Sequence, residues 1–156
     1  MSDRLDVFAV CTPGLEPLVA AEIERLGVRG PRVRHGGVDA SVTLAQLWSL
    51  NLRLRVATRV LVRVARFRAP DFPALQAGMR HAEWDRWLVP GGEVQLKVAS
   101  SGSALFHTGA IEERAAGILA LTGRTIADTG QVLHVRITND VAIVSLDSSG
   151  DPLYRR

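Results

Sequence analysis

The spacing of apolar residues alternates between a strand-like and a helix-like period through the first 67 residues, and that order limits the possible folds more than any other feature. Leu5 to Cys11 is a short apolar run that stops at Thr12-Pro13-Gly14, a strand followed by a breaker. Leu15, Val19, Ile23 and Leu26 then recur at the helical period, with Leu18 beside them and Gly27 as the stop. Two short strands, near Arg32 to His35 and Val38 to Val42, flank Gly36-Gly37, whose tolerance of positive φ suits a two-residue turn. Thr43-Leu44-Ala45-Gln46 has the form of a capping box, and Leu44, Leu47, Trp48 and Leu52 continue it as an amphipathic helix. From Arg59 to Phe67 the period is two: Val60, Val62 and Val64 alternate with Arg59, Leu61 and Arg63, as in a half-buried strand.

Strand, helix, strand, strand, helix, strand is the split βαβ order of ferredoxin-like domains, and it fills residues 1–67. Residues 68–156 read differently. Helical stretches cover Asp71 to His81 and a short piece around Trp84 and Trp87, and Pro90-Gly91-Gly92 closes them. A strand runs from Glu93 to Ala99, and Ile111, Ala115, Ile118 and Leu119 mark one face of a helix from His107 to Leu121. Strands Val132 to Ile137 and Val141 to Leu146 are joined by Asn139-Asp140, a second hairpin signal. The fold class is therefore α+β, in two parts (βαββαβ, then ααβαββ). With no internal repeat and no long linker between them, the parts are expected to pack as one body.

Charge is concentrated in one place. Arg53, Arg55, Arg59, Arg63, Arg66 and Arg68 crowd a stretch, Ala40 to Pro70, that contains no Asp or Glu. The chain has 19 Lys plus Arg and 16 Asp plus Glu, so outside that block 13 basic residues face 16 acidic ones. A local +6 beside a body of −3 suits a polyanion, with RNA or DNA the first partner to consider. A solvated strand face in an arginine-rich protein, with 18 Arg to the single Lys97, is the competing explanation.

Other classes are bounded by what the chain lacks. It has no apolar run long enough to span a membrane, and Met-Ser-Asp-Arg-Leu-Asp is not laid out as a signal peptide. A cytoplasmic protein with no membrane partner is the expectation. The single Cys11 sits in an apolar run and reads as a buried small hydrophobe. His35, His81, His107 and His134 are too dispersed to suggest a metal site.

Four segments carry a resemblance. They are Phe8-Ala9-Val10-Cys11-Thr12-Pro13-Gly14-Leu15-Glu16; Asn51-Leu52-Arg53-Leu54-Arg55-Val56-Ala57-Thr58-Arg59-Val60-Leu61; Ser100-Ser101-Gly102-Ser103-Ala104-Leu105-Phe106-His107-Thr108; and Asp147-Ser148-Ser149-Gly150-Asp151-Pro152-Leu153-Tyr154-Arg155-Arg156. In that order and at those separations the chain resembles the N-terminal ferredoxin-like plus THUMP region of class I S-adenosylmethionine-dependent RNA methyltransferases of the guanine-N2 type. The resemblance implies a ferredoxin-like domain over 1–67 packed against a THUMP domain over 68–156. It implies structured RNA as partner, tRNA or large-subunit rRNA, and a following Rossmann-like methyltransferase domain. S-adenosylmethionine would belong to that domain. The glycine-rich cofactor loop and the Asn/Asp-Pro-Pro-aromatic motif of such domains do not occur among these 156 residues, so no cofactor and no catalytic residue are expected here. A fragment of a longer enzyme is the main expectation, a free-standing RNA-binding adaptor the alternative.

A module of this kind must hold RNA by backbone and shape, because A-form grooves offer side chains little sequence to read. Ser100, Ser101 and Ser103 offer hydroxyls, and the helix start at His107-Thr108 offers free N–H groups with a partial positive charge. Lys97, on the exposed parity opposite Val94, Leu96 and Val98, and Arg114 on the helix flank could add charge. Ser103 or Thr108 could equally be a helix cap. Arg59 and Arg63 share a strand face, with Arg53 and Arg55 just before it and Arg136 as an extension, so a basic stripe is possible. Ion pairs with acidic residues are the alternative.

Trp48, Trp84 and Trp87 sit on helical patterns and read as core. A hydrolase using Ser103 and His107 lacks a third orienting group and a strained serine elbow. A protein-interaction domain is the remaining competitor.

Overall fold

The computed structural model describes residues 3–155; Met1, Ser2 and Arg156, the last residue of the fourth segment above, lie outside the described residues. By its internal contacts the chain divides into two compact units, Met1–Arg63 with Asp147–Arg156, and Val64–Leu146. The chain leaves the first unit within a strand, and its closing segment belongs with that unit again.

The first unit holds β1 (Leu5–Val10), α1 (Glu16–Arg25), β2 (Arg32–Arg34), β3 (Gly37–Val42), α2 (Leu44–Arg53) and the start of β4 (Arg59–Arg68). Its strands run in the order β2-β3-β1-β4, and the β2/β3, β1/β3 and β1/β4 pairs are antiparallel. One face carries Val7, Ala9, Val38, Ala40, Val42, Val60 and Val62, all buried, and meets Val19, Ile23, Leu47 and Leu50 of the helices. Burial of each of the larger side chains contributes about 1.5–3 kcal/mol. The capping box forms as the sequence predicts: Thr43 Oγ1 accepts from Gln46 N at 3.2 Å and Gln46 Oε1 accepts from Thr43 N at 2.9 Å. Gly37 is required by packing rather than by φ, since a Cβ there would lie 2.5 Å from the Ala9 carbonyl oxygen and from the Phe8 ring.

The second unit begins in β4 and adds α3 (Phe72–His81), α4 (Trp84–Trp87), β5 (Glu93–Ser101), α5 (Thr108–Leu121), β6 (Thr125–Ile126), β7 (Gln131–Thr138) and β8 (Val141–Asp147, to Leu146 within this unit). The strand order β8-β7-β5-β6 mixes an antiparallel β7/β8 hairpin with parallel β5/β7 and β5/β6 pairs. The two-residue β6 is absent from the sequence reading. Asn139 and Asp140 turn the hairpin with φ of 50° and 61°, as their residue types suggest. Val94, Leu96, Leu133, Val135, Ile137, Ala142, Val144 and Leu146 are buried together with Ile111, Ala115 and Leu119 of α5 and Leu75 and Met79 of α3.

The tryptophans need a correction. Trp84 is buried, with Nε1 donating to the Met79 carbonyl at 2.7 Å, and Trp87 is half-buried. Trp48, expected in the core, is 61% exposed. On α2 the stripe Leu47, Leu50 and Leu54 packs inward, which turns Leu44, Trp48 and Leu52 outward. Cys11 is buried as expected, and burial followed by the nearby Glu16 carboxylate pushes its thiol pKa up.

Candidate nucleic-acid interface

The turn after β5 is held mostly by its own hydroxyls. Ser100 Oγ donates to the Leu105 carbonyl, and Ser103 Oγ donates to the Ser101 carbonyl at 3.0 Å while accepting from Asp140 N at 3.0 Å. The Asp140 carboxylate accepts from Ala104 N at 2.8 Å, and Asn139 N reaches the Ser101 carbonyl at 3.3 Å. The tip of the β7/β8 hairpin thus clamps the turn, a role for Asp140 that the sequence reading missed. Gly102, at φ +57°, makes the reversal possible. Among the described residues Ser103 has no bond to His107, whose ring instead lies against Phe106 with centroids 4.2 Å apart. A serine–histidine nucleophile is not assembled.

The start of α5 is different. His107 is its N-cap residue, no side chain caps it, and no acid stands in its first turn. The open N–H groups and the positive end of the helix dipole face out beside exposed Ser101, His107 and Thr108. Lys97 and Arg136 are also exposed, and the β5/β7 register puts them on one sheet face: Lys97 pairs with His134, and Arg136 follows two residues on, opposite Ala99. The apolar parity faces the helices. Arg114 lies elsewhere on α5, its guanidinium 5.0 Å from the centre of the Phe72 ring.

In the first unit the arginine stripe divides. Arg59 and Arg63 lie on the sheet face opposite the helices, in register with Val10 and beyond Leu61. Arg59 pairs with the Asp147 carboxylate, whose side chain is 1% exposed, and donates to the Gly150 carbonyl at 3.3 Å. Arg63 lies 3.7 Å from Asp39 and stacks 4.5 Å over the Phe8 ring. Both cations thus have an acidic partner, Asp39 being shared with Arg34 at 3.0 Å. Around them the second and fourth segments interlock: Ser148 Oγ donates to the Val60 carbonyl at 2.7 Å, and Ser149 Oγ accepts from Val60 N at 2.8 Å and donates to Asn51 Oδ1 at 2.5 Å. Leu153 N closes on the Thr58 carbonyl at 2.7 Å.

The first segment is a latch too. Glu16, buried at the start of α1, accepts from Gly36 N at 2.9 Å and Gly14 N at 2.7 Å, so its carboxylate joins the Thr12–Gly14 turn to the β2/β3 hairpin. The Gly36 N–H, first among these donors, holds the Glu16 pKa below the ordinary carboxylate value. Residues 6–61, the span these latches organise, match the RlmL ferredoxin-like domain. Over that span the chain is similar to the RlmL ferredoxin-like domain.

Similarity to known proteins also extends over nearly the whole chain. Ribosomal RNA large subunit methyltransferase K/L of Methylococcus capsulatus is 32% identical over 160 residues, 97% of this chain and 22% of the relative. The chain therefore spans about a fifth of the length of the curated relatives it matches. Among solved structures, a putative methyltransferase complexed with SAH superposes with a TM-score of 0.86 at 23% identity, over 97% of this chain and 43% of that one. TrmN from Thermus thermophilus superposes at 0.77 with 21% identity, over 97% and 48%. At these identities the structures speak for the fold. The resemblance to the ferredoxin-like plus THUMP region of RNA methyltransferases, drawn from four short segments, is borne out.

Within residues 6–61, Arg53 and Arg55 do not join Arg59. They face an open cleft of about 480 Å³ beside α1, together with Arg25. Glu22 makes that cleft: its two carboxylate oxygens accept from Arg55 N at 2.9 Å and Val56 N at 3.1 Å. Arg25 lies 28 positions before Arg53 and carried no short-range signal in the sequence. Among the described residues no group of His, Cys, Asp and Glu is placed to hold a metal, and no helix is long and apolar enough to cross a membrane.

Proposed function

We propose that this chain holds RNA for a ribosomal RNA methyltransferase and carries out no bond-making itself. The observation that carries the reading is the placement of two exposed cations, Lys97 and Arg136, on one outer face of β5 and β7, in the unit whose α5 N-terminus is uncapped. Phosphates fit both features: cations that neutralise them release the counterions condensed on the RNA, and open helix N–H groups donate to a phosphate oxygen. Ser101, His107 and Thr108 line that helix start. Ser100 and Ser103 shape the turn, and Arg114 adds charge on the helix flank. The 32% identical relative, by name a large subunit rRNA methyltransferase, supplies the substrate class.

The mechanism is positional. Fixing one landmark of a folded RNA sets its distance to the base that is methylated, and an oriented substrate reacts as if at very high local concentration. The reading extends to guanine N2 as the methylated atom, tRNA or large-subunit rRNA as the RNA, and a cytoplasmic setting. S-adenosylmethionine would supply the methyl group, bound in a Rossmann-like domain that follows in the longer protein; a neighbour complexed with SAH supports that cofactor. These residues do not themselves fit it. The first unit's strand pairs are antiparallel, without the parallel crevice such a cofactor uses, and in the second unit, where β5 pairs with β6 and β7 in parallel, the turn after β5 is filled by its own hydrogen bonds.

The test is a titration of the chain with a structured large-subunit rRNA fragment and with tRNA at several salt concentrations. The logarithm of the binding constant is expected to fall linearly with that of salt, and Lys97→Ala with Arg136→Ala to flatten the slope by about 1 to 2. Binding indifferent to salt, or unchanged in the double variant, overturns the reading.

A further inference from the structure

We infer that the cleft between the C-terminal ends of α1 and α2 in the first unit is a second RNA contact, which takes one unpaired nucleotide. The inference rests on the RNA-holding role proposed above and adds a site, a residue and a preference to it. Three arginines line the cleft: Arg25 from the last turn of α1, Arg53 from the last turn of α2, and Arg55 from the segment that follows. All three residues are exposed, and among the described residues none of these side chains has an acidic partner. Arg59 and Arg63, a few residues on, are both matched to aspartates. The contrast separates these three cations from the two that follow them in the same basic stretch.

One acid is present, Glu22, and its oxygens are engaged by the N–H groups of Arg55 and Val56. The cleft therefore carries three positive charges against one negative. The carbonyl ends of α1 and α2 oppose an anion, and Arg25 and Arg53 offset them. Arg55, held in place by Glu22 through its own backbone, is the surplus cation, and its forked donors suit a phosphate.

The remaining wall is apolar. Leu18, which is 54% exposed, lines the cleft with Leu26 and Val56. Aliphatic side chains beside guanidinium groups match a ligand that is anionic at one end and flat and weakly polar at the other. A nucleotide is such a ligand. In a duplex the base faces are stacked and paired, whereas an unpaired base can lie on an apolar surface while its phosphate is held. A cleft of about 480 Å³ has room for one nucleotide.

The experiment uses the whole chain and two probes, a fluorescein-labelled pentauridylate and a blunt RNA duplex of 16 base pairs. The triple variant Arg25→Ala, Arg53→Ala, Arg55→Ala is expected to bind pentauridylate at least about tenfold more weakly and to flatten its salt slope by about 2. The duplex should change less than about twofold, since its contacts fall to Lys97 and Arg136. The lysine triple at the same positions preserves charge and helix ends. It should keep the salt slope and lose about threefold in affinity, because the forked contact is gone.

Unchanged pentauridylate binding in both triples overturns the inference, and so does an equal loss for both probes. If Lys97→Ala with Arg136→Ala weakens the duplex while the triples alter nothing, the cleft falls and the RNA-holding role stands. If the unaltered chain binds neither probe, both readings fall.

Discussion

Two serine-rich turns look alike in the sequence and behave differently in the structure. Ser148-Ser149, in the first unit, bonds Val60 and Asn51 and follows a buried Asp147 that holds Arg59. Ser100 to Ser103, in the second, bonds Leu105, Ser101 and Asp140, and then gives way to a helix whose first N–H groups no side chain caps. Hydroxyls build both turns. What distinguishes the second is the set of donors left open beyond it, and those open donors rather than the hydroxyls are what a phosphate could use. A serine-rich motif is therefore weak grounds for a binding site until its hydrogen bonds have been followed to their acceptors.

The largest test of this difference is Arg59→Ala. It takes the cation from a carboxylate that is 1% exposed and keeps the Ser149 N–H at 2.9 Å, and the 24% exposure of the arginine side chain screens part of the interaction. Removing one partner of a buried pair costs about 3–5 kcal/mol, and with this screening we expect about 2–3 kcal/mol in urea denaturation. RNA affinity of the folded protein should stay within about twofold, since the cation is already matched. A loss of less than about 0.5 kcal/mol would place Asp147 and Arg59 among ordinary surface pairs and break the comparison.

Ser149→Ala and Ser103→Ala come next. Each removes a hydroxyl that both donates and accepts, and each should destabilise by about 1–2 kcal/mol. The measurements that separate them are local. Hydrogen exchange should rise at Val60 N for the first variant and at Asp140 N for the second, because those are the donors left without an acceptor. If Ser103→Ala instead leaves exchange at Asp140 unchanged and removes RNA binding, its hydroxyl is a ligand and the two turns differ in kind.

His107→Asp sharpens the point from the other side. An aspartate at the N-cap would accept from the open N–H groups and meet the positive end of the dipole, stabilising α5 by about 0.5–1 kcal/mol. The same carboxylate would repel a phosphate, so structured RNA should bind about three- to tenfold more weakly. Higher stability with unchanged RNA affinity would show that the helix start is not used.

How much of this could be read beforehand depends on the range of the interaction. The Thr43–Gln46 box and the Asn139-Asp140 hairpin are settled within four residues, and both appear as expected. The outward face of α2 was not readable. Leu44, Trp48 and Leu52 recur at intervals of four, Leu47, Leu50 and Leu54 at three and four, and periodicity alone does not decide which stripe packs. Strand β6 has two residues, too few to show a period. The same limit governs the site. Lys97 was legible from the alternation of β5, but the partners of Arg59 and Arg63 lie 88 and 24 positions away, and only the fold sorts matched from open cations.

A third turn extends the comparison to a carboxylate. Glu16 serves Gly14 and Gly36 much as Ser149 serves Val60, but its latch carries a charge and so depends on pH. The Gly36 N–H, foremost, stabilises the charged form and lowers the folded-state pKa below 4.5, the ordinary value. A group lowered in this way contributes stability that is fully present above its unfolded pKa and is lost as pH falls through the folded one. The chain should therefore lose stability more steeply below about pH 4.5 than Glu16→Gln does, and the two curves should run parallel above it. Parallel curves down to the acid limit would mean that the Gly14 and Gly36 donors do not discriminate between charged and neutral Glu16. The three turns would then hold by hydrogen-bond geometry alone, with charge adding nothing at this one.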